Sequence, residues 1–212
     1  MKTAIVFGAT GLVGSHIVKQ LINNEDYGKV KVFGRRAIGY TDPKVEEYII
    51  DFDKLADAAE DIKGHVVYCC LGTTIKKAKN ETAYRKVDYD MPVDIAHIAE
   101  KNAIDSYIVV SSIGASIDSK NFYLHMKAEM ETTLKRYNFK RLKIVRPSFL
   151  LGNREEFRLM EWVGKSISLL ISPLMVGKLK KYRPIHAKKV AAAMIRLADD
   201  DSGQIIYESN EL

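Results

Sequence analysis

Thr3-Ala4-Ile5-Val6-Phe7-Gly8-Ala9-Thr10-Gly11-Leu12-Val13-Gly14 decides the fold. The apolar run Thr3 to Phe7 reads as a buried strand. The glycines Gly8, Gly11 and Gly14 read as the turn after it. Ser15 to Asn23 follows as a helix, with Ile17, Val18, Leu21 and Ile22 on its inner face. Gly8 permits a tight turn, Gly11 lets backbone approach a pyrophosphate, and Gly14 lets helix and strand pack closely. The N–H groups and partial positive charge of the helix N-terminus then favour an anion. A tight turn without a ligand would explain the glycines alone. The surrounding strand–helix–strand pattern makes a dinucleotide site the better reading, with Gly8, Gly11 and Gly14 at its phosphate end.

Outward from this turn the alternation continues. Strands are expected at Val30 to Phe33, Val45 to Ile50, Val66 to Leu71, Tyr107 to Val110 and Leu142 to Val145, with a last one near Gln204 to Tyr207. Helices are expected at Asp88 to Asn102 and Asn121 to Tyr137. Such a pattern gives an α/β fold: a doubly wound, mostly parallel sheet with helices on both faces, of the Rossmann kind. The expected organisation is one domain over residues 1–212, in which residues 148–212 supply a small C-terminal substrate lobe and the last strand.

The chain has 212 residues with 47% hydrophobic and 28% charged, ordinary globular values that argue against disorder and a membrane bundle. The two cysteines, Cys69 and Cys70, are sequence neighbours, so a disulfide framework is excluded and a reducing, cytoplasmic location is the expectation. The net charge of +6 suits anionic partners without implying nucleic acid. Met1-Lys2-Thr3 leads into too short an apolar run for a secretory leader, and no stretch reaches the roughly 20 apolar residues of a membrane span. No metal motif occurs. Composition leaves monomer and dimer open.

The second strand ends in Gly34-Arg35-Arg36, where an acid for a ribose 2′-OH would stand in an NAD site. Guanidinium groups suit a 2′-phosphate instead, which points to NADP(H). Asp51 either lines an adenine pocket or caps the helix after it. Tyr123 and Lys127 share a helix face at i,i+4 spacing, after a strand ending in Ser111-Ser112. The same spacing recurs at Tyr27/Lys31 and Tyr40/Lys44, but Gly28 and Pro43 break those segments. A phenol with a pKa of about 10 is a poor base near neutrality, and a neighbouring ammonium brings it into a working range. Tyr123 would donate a proton to a carbonyl oxygen, Lys127 would hold the nicotinamide ribose, and Ser111 or Ser112 would orient the oxygen.

The glycine turn, Arg35-Arg36, the serine pair, Tyr123-x-x-x-Lys127 and Arg146-Pro147 together resemble a short-chain dehydrogenase/reductase of the atypical or extended type. Cys69-Cys70-Leu71-Gly72-Thr73-Thr74, Val87-Asp88 and Val145-Arg146-Pro147 resemble its small Tat-interacting-protein oxidoreductase-like group. The resemblance implies Thr10, Gly11, Leu12, Val13, Arg35, Arg36, Leu71, Gly72, Tyr123 and Lys127 as NADPH contacts. Two departures stand out: Cys70-Leu71-Gly72-Thr73 replaces the family's Asn-Asn-Ala-Gly run, and Asp88 stands where a catalytic helix Asn is usual. The expected activity is reduction of a small carbonyl substrate. The alternative is an NADPH-binding regulatory protein with little turnover. Leu150, Leu151, Phe157, Leu159, Met160 and Trp162 would give an apolar substrate pocket, or simply pack a helix on the sheet. His125 is expected to point away from the tyrosine–lysine pair. Lys178, Lys180, Lys181 and Arg183 read as a solvated basic flank.

Overall fold

The computed structural model describes residues 1–74, 78–152 and 177–212. Strand β1 (Lys2–Phe7) is followed by helix α1 (Leu12–Ile22), β2 (Tyr27–Gly34), β3 (Val45–Ile49) and a 3-10 helix (Phe52–Ala58). Then come β4 (Val66–Cys69), α2 (Glu81–Arg85), a π-helical turn (Lys86–Asp90) and α3 (Met91–Lys101). The second half contains β5 (Ser106–Val110), α4 (Phe122–Leu134), β6 (Arg141–Arg146), β7 (Leu150–Leu151), a 3-10 turn (Gly177–Tyr182), β8 (Ile185–His186), α5 (Ala187–Leu197) and β9 (Ile206–Glu208).

Seven strands form one sheet in the order β3-β2-β1-β4-β5-β6-β9, and every neighbouring pair is parallel. The strand order reverses between β1 and β4, so a crevice opens at their carboxyl ends, where ligands bind in such sheets. The strand residues alternate between two cores. Ala4 and Val6 join one cluster with Val13, Ile17, Val18 and Leu21 of α1 and with Val190, Ala191 and Met194 of α5. Ile5 and Phe7 join the other, with Ile95, Ala96 and Ala99 of α3 and Met130 and Leu134 of α4. Full burial of each large side chain contributes about 1.5–3 kcal/mol, so the sheet is held from both faces. Cys69 and Cys70 take opposite faces, as a strand pair must. The doubly wound parallel sheet expected from the sequence is present.

Several boundaries differ from those expected, two of them at the site. The expected helix at Asp88 begins earlier, at Glu81, because the Asn80 side chain caps it by accepting the Ala83 N–H at 2.8 Å. It then passes through the π turn, an extra-residue irregularity that apolar periodicity does not reveal. The apolar run Val66 to Leu71 stops being strand after Cys69.

At the far edge, Lys143 is buried and its ammonium donates to the Asp200 carboxylate at 3.1 Å and the Gln204 carbonyl at 2.9 Å, which ties the approach to β9 to β6. Asp200 also accepts from Tyr207 and Ser202, and these bonds hold its carboxyl well below the usual range. β7 and β8 form a separate parallel two-stranded ribbon, Leu150 opposite Ile185 and Leu151 opposite His186. The Ile185 N–H donates to the Phe149 carbonyl at 2.9 Å, and Ser148 bonds to the Arg183 carbonyl and to Ser209.

Gly14 is where α1 meets β1. A Cβ there would lie 2.3 Å from the Gly8 carbonyl oxygen, backbone that cannot yield. Gly14→Ala should therefore destabilise the fold by about 1–3 kcal/mol. The urea midpoint is expected to fall with little change in slope. A midpoint equal to that of the unaltered protein would mean that α1 can slide away from β1 at no cost.

Candidate functional site

The glycine turn is built by close contact. Gly8 has φ +83°, and a Cβ on it would be 2.5 Å from the Cys70 carbonyl oxygen, so β1 and β4 separate over glycine alone. The Gly11 N–H donates back to the Gly8 carbonyl at 2.8 Å, and Gly11 caps α1 with no side-chain hydrogen bond. The first N–H groups of α1 therefore face the crevice without a protein side chain at the cap.

The crevice is a cavity of about 1050 Å³. Gly8, Thr10, Gly11, Leu12 and Val13 line it, with Arg35, Arg36 and Asp51, Leu71 and Gly72, Ser111 and Ser112, and Tyr123 and Lys127. Gly14 lies outside the lining and is the packing glycine of the turn. The Asp51 carboxylate accepts the Asp53 N–H at 2.9 Å as a helix cap, and the residue also lines the cavity. Arg35 and Arg36 are exposed, and neither guanidinium has a hydrogen-bond or ion-pair partner among the described residues.

Tyr123 and Lys127 sit on α4, one turn apart. The Tyr123 ring packs against Tyr84 of α2, centroids 5.9 Å apart. Lys127 is buried, and its ammonium lies 2.9 Å from Asp88 Oδ1; both side chains are 3% exposed. The other oxygen of Asp88 accepts the Thr73 N–H at 2.7 Å. One carboxylate thus joins the lysine of α4 to the turn after β4. Burial pulls the Lys127 ammonium down, but Asp88 and the Tyr123 phenol outweigh it, and its pKa lies above the ordinary lysine value. The π turn that carries Asp88 is pinned to α4 by Arg85, which bonds Glu129 at 2.6 Å, and by Tyr89, whose hydroxyl meets that of Thr133 at 2.9 Å.

The two serines separate. Ser111 Oγ donates to Glu131 Oε1 at 2.5 Å, and the same buried carboxylate is gripped by Arg146 at 2.9 and 2.5 Å. Arg146 reaches on to Glu208 at 3.3 Å. Ser111 is therefore committed to a structural ion pair. Among the described residues the Ser112 hydroxyl makes only a 3.3 Å contact with the neighbouring Ile113 carbonyl, which leaves it able to turn to a ligand. His125 bonds the Ile117 carbonyl at 2.7 Å and lies against Glu129, on the outer face of α4, as the sequence suggested.

Sequence reasoning missed the partner of Lys127 and the Glu131–Arg146 pair. A signal was present. Tyr123, Lys127 and Glu131 recur at i, i+4 and i+8, a polar stripe on the inward face of a helix whose other inward residues are apolar. Of the expected apolar pocket, Leu150 and Leu151 are half-buried on β7, and Leu150 lines the cavity. Phe157, Leu159, Met160 and Trp162 lie outside the described residues. Lys180 is exposed and Lys181 lies 3.8 Å from Glu208. No described helix is long and apolar enough to cross a membrane, and no metal-binding group of three or more ligands occurs among the described residues.

A family profile described as NAD(P)H-binding matches residues 8–201. Protein HTATIP2 of Rattus norvegicus is 33% identical over 168 residues, 77% of this chain and 69% of that protein. "Protein FMP52, mitochondrial" of Eremothecium gossypii is 30% identical over 214 residues, 99% of this chain and 95% of that protein. Among solved structures, the UDP-N-acetylglucosamine 4-epimerase of Methanobrevibacter ruminantium M1 superposes with a TM-score of 0.73 at 19% identity, covering 98% of this chain and 76% of that one. Vestitone reductase of alfalfa (Medicago sativa L.) gives 0.67 at 18% identity, over 98% and 76%. At those identities the structural likeness speaks to fold. The expected cytoplasmic location is corrected by the relatives named mitochondrial, which point away from a purely cytoplasmic protein. A glycine turn that opens the β1–β4 crevice, a lysine held under it, and relatives matched over most of the chain agree: the chain belongs to the NAD(P)H-binding family, beside the HTATIP2 and FMP52 proteins.

Proposed function

We propose that the protein is an NADP(H)-dependent oxidoreductase that reduces a small carbonyl compound. One observation carries the reading: a single cavity has an anion-seeking helix terminus and two unpaired guanidinium groups toward one end, and a tyrosine–lysine pair toward the other. The residues present fit a phosphorylated dinucleotide. Thr10 to Val13 at the glycine turn would hold its pyrophosphate, Arg35 and Arg36 the 2′-phosphate, Asp51 the adenine side, and Leu71 with Gly72 the middle.

When bound, the reduced nicotinamide would supply the hydride to the carbonyl carbon. The Tyr123 hydroxyl would give its proton to the carbonyl oxygen, and Ser112 would orient that oxygen. The Lys127 ammonium would hold the ribose hydroxyls and stabilise the phenolate left on Tyr123. Asp88 would keep Lys127 charged in a site where burial alone would favour the neutral amine. Ser111 supports the site from behind through Glu131. The cavity edge near Leu150 suits a compact, apolar carbonyl compound. Asp88 also favours a second reading, that of a cofactor-bound regulatory protein with slow turnover, because its carboxylate offsets the lysine charge that would activate Tyr123. Turnover against a panel of aldehydes and ketones separates the two.

Fluorescence titration should give a preference for NADPH over NADH of more than about tenfold, since each charge-assisted phosphate contact contributes roughly 1.5–3 kcal/mol. The double variant Arg35→Ala/Arg36→Ala is expected to lose the preference and keep NADH affinity. Equal affinities in the unaltered protein would remove the 2′-phosphate assignment.

Tyr123→Phe should leave NADPH affinity within a small factor and lower turnover by about 10²–10⁴. A variant that reduces a carbonyl compound at the full rate would strip Tyr123 of its role and favour the regulatory reading.

Asp88→Asn breaks a buried ion pair and should cost about 3–5 kcal/mol of stability at pH 7. In the native protein the Lys127 pKa is raised, so the pair's contribution is present below the unfolded lysine value near 10.5 and is lost above it, as pH rises through the folded value. In the variant, burial has lost its main opponent, with only the Tyr123 phenol and the Cys69 thiol left against it, and the folded pKa is expected to fall below the unfolded one. Stability of the variant should then rise between pH 7 and 10, where the folded state has released the lysine proton and the unfolded chain still binds it. Urea unfolding at several pH values measures this; a flat profile would show that the amide replaces the carboxylate fully.

A further inference from the structure

The two arginines at the adenosine end stand on a loop that leaves β2 at Gly34 and returns as β3 at Val45. Neither Arg35 nor Arg36 is tied down by its own side chain, so their placement depends on the backbone that follows. That backbone is gripped at one point. The Glu47 carboxylate, on β3, accepts the Ile38 N–H through Oε2 at 2.6 Å, and the Gly39 and Tyr40 N–H groups through Oε1 at 2.8 and 2.6 Å. Three successive amides converge on one carboxylate, a concave arrangement that needs a left-handed residue, and Gly39 supplies it with φ +85°. Among the described residues no other hydrogen bond holds the backbone of residues 35–40. Ile38 lines the same cavity as the arginines, and Tyr40 packs against the core beneath α1. Burial pushes the Glu47 carboxyl up, and the three N–H donors more than offset this, so it lies below the ordinary glutamate value.

We propose that Glu47 is a positioning residue for cofactor selectivity: by clamping the Ile38–Tyr40 backbone it presents Arg35 and Arg36 to the 2′-phosphate of the cofactor. The inference rests on the reading that these arginines bind that phosphate. Its physical basis is pre-organisation. A loop already fixed in its binding geometry loses less conformational entropy when the phosphate arrives, so more of each arginine contact appears as affinity. The carboxylate does not act on the cofactor directly, since a bare negative charge there would repel the phosphate. The N–H clamp consumes it.

The sign of one substitution separates these roles. Glu47→Gln keeps the shape and one accepting oxygen but turns an NH2 group toward at least one amide that also donates, so the clamp loses a bond and loosens. NADPH affinity is expected to fall about tenfold, with NADH affinity changed less than about twofold. In the cofactor-free variant, trypsin should cut after Arg35 or Arg36 several-fold faster than in the native protein, and saturating NADPH should restore protection. Gly39→Val breaks the same clamp from the other side and should reproduce the loss of selectivity, which covers the case of a Gln variant that folds poorly. If Glu47→Gln tightens NADPH binding, the carboxylate acts by charge and the proposal is overturned. A native protein that prefers NADPH, together with variants that keep the native NADPH-to-NADH ratio, overturns the Glu47 role alone. Equal affinities in the native protein overturn the arginine reading beneath it.

Discussion

The contact between Gly14 and the Gly8 carbonyl sets the geometry of everything above the sheet. With no Cβ at either position, α1 lies directly against the end of β1, and its N-terminus comes to rest over the crevice between β1 and β4. A side chain at Gly14 would lift the helix and turn its free N–H groups away. One at Gly8 would collide with the backbone of Cys70 and force apart two strands paired in register from Ala4 with Val66 to Phe7 with Cys69. The glycine-turn end of the cavity is thus a by-product of steric permission in the backbone. The opposite end is a product of charge.

There the chain buries an ammonium and two carboxylates close to one another. Lys127 and Asp88 neutralise each other, and Glu131 is neutralised by Arg146 one helical turn further on. Burying such groups costs several kcal/mol per ion unless hydrogen bonds satisfy them, and here they do: Thr73 serves Asp88 and Ser111 serves Glu131. The outcome is a rigid polar stripe along α4 that touches the turn after β4, the end of β5 and the end of β6. Lys127 is braced by Asp88 of the π turn, and Ser111 by Glu131 of α4. Such bracing limits the freedom of Lys127 to wander from its place.

Much of this was legible in the sequence, because it depends on local patterns. The parallel sheet follows from alternating apolar runs, and the crevice residues follow from the glycine spacing and from Tyr123 and Lys127 sharing a helix face. What escaped was non-local. Asp88 looked like a mere substitute for a usual Asn, because its partnership with Lys127 depends on a π turn that shifts the helix register. The choice between Ser111 and Ser112 needed Glu131, which is distant in sequence from either. Glu47 drew no notice, since a glutamate on an edge strand is ordinary until three amides are seen to close on it. Hydrophobic periodicity reports which face of an element is buried. It is silent about which buried polar groups find each other.

The small β7–β8 ribbon has an architectural consequence. Leu150 pairs with Ile185 and Leu151 with His186, partners far apart in the chain and adjacent in space. Loop-closure entropy grows only slowly with length, each doubling adding about 0.6 kcal/mol. Drawing together ends this far apart therefore costs little more than drawing together nearer ones. The ribbon sets Leu150, a residue of the cavity wall, against the strand that leads into α5, so this edge of the crevice is anchored to the helix that packs with α1 and not to the seven-stranded sheet.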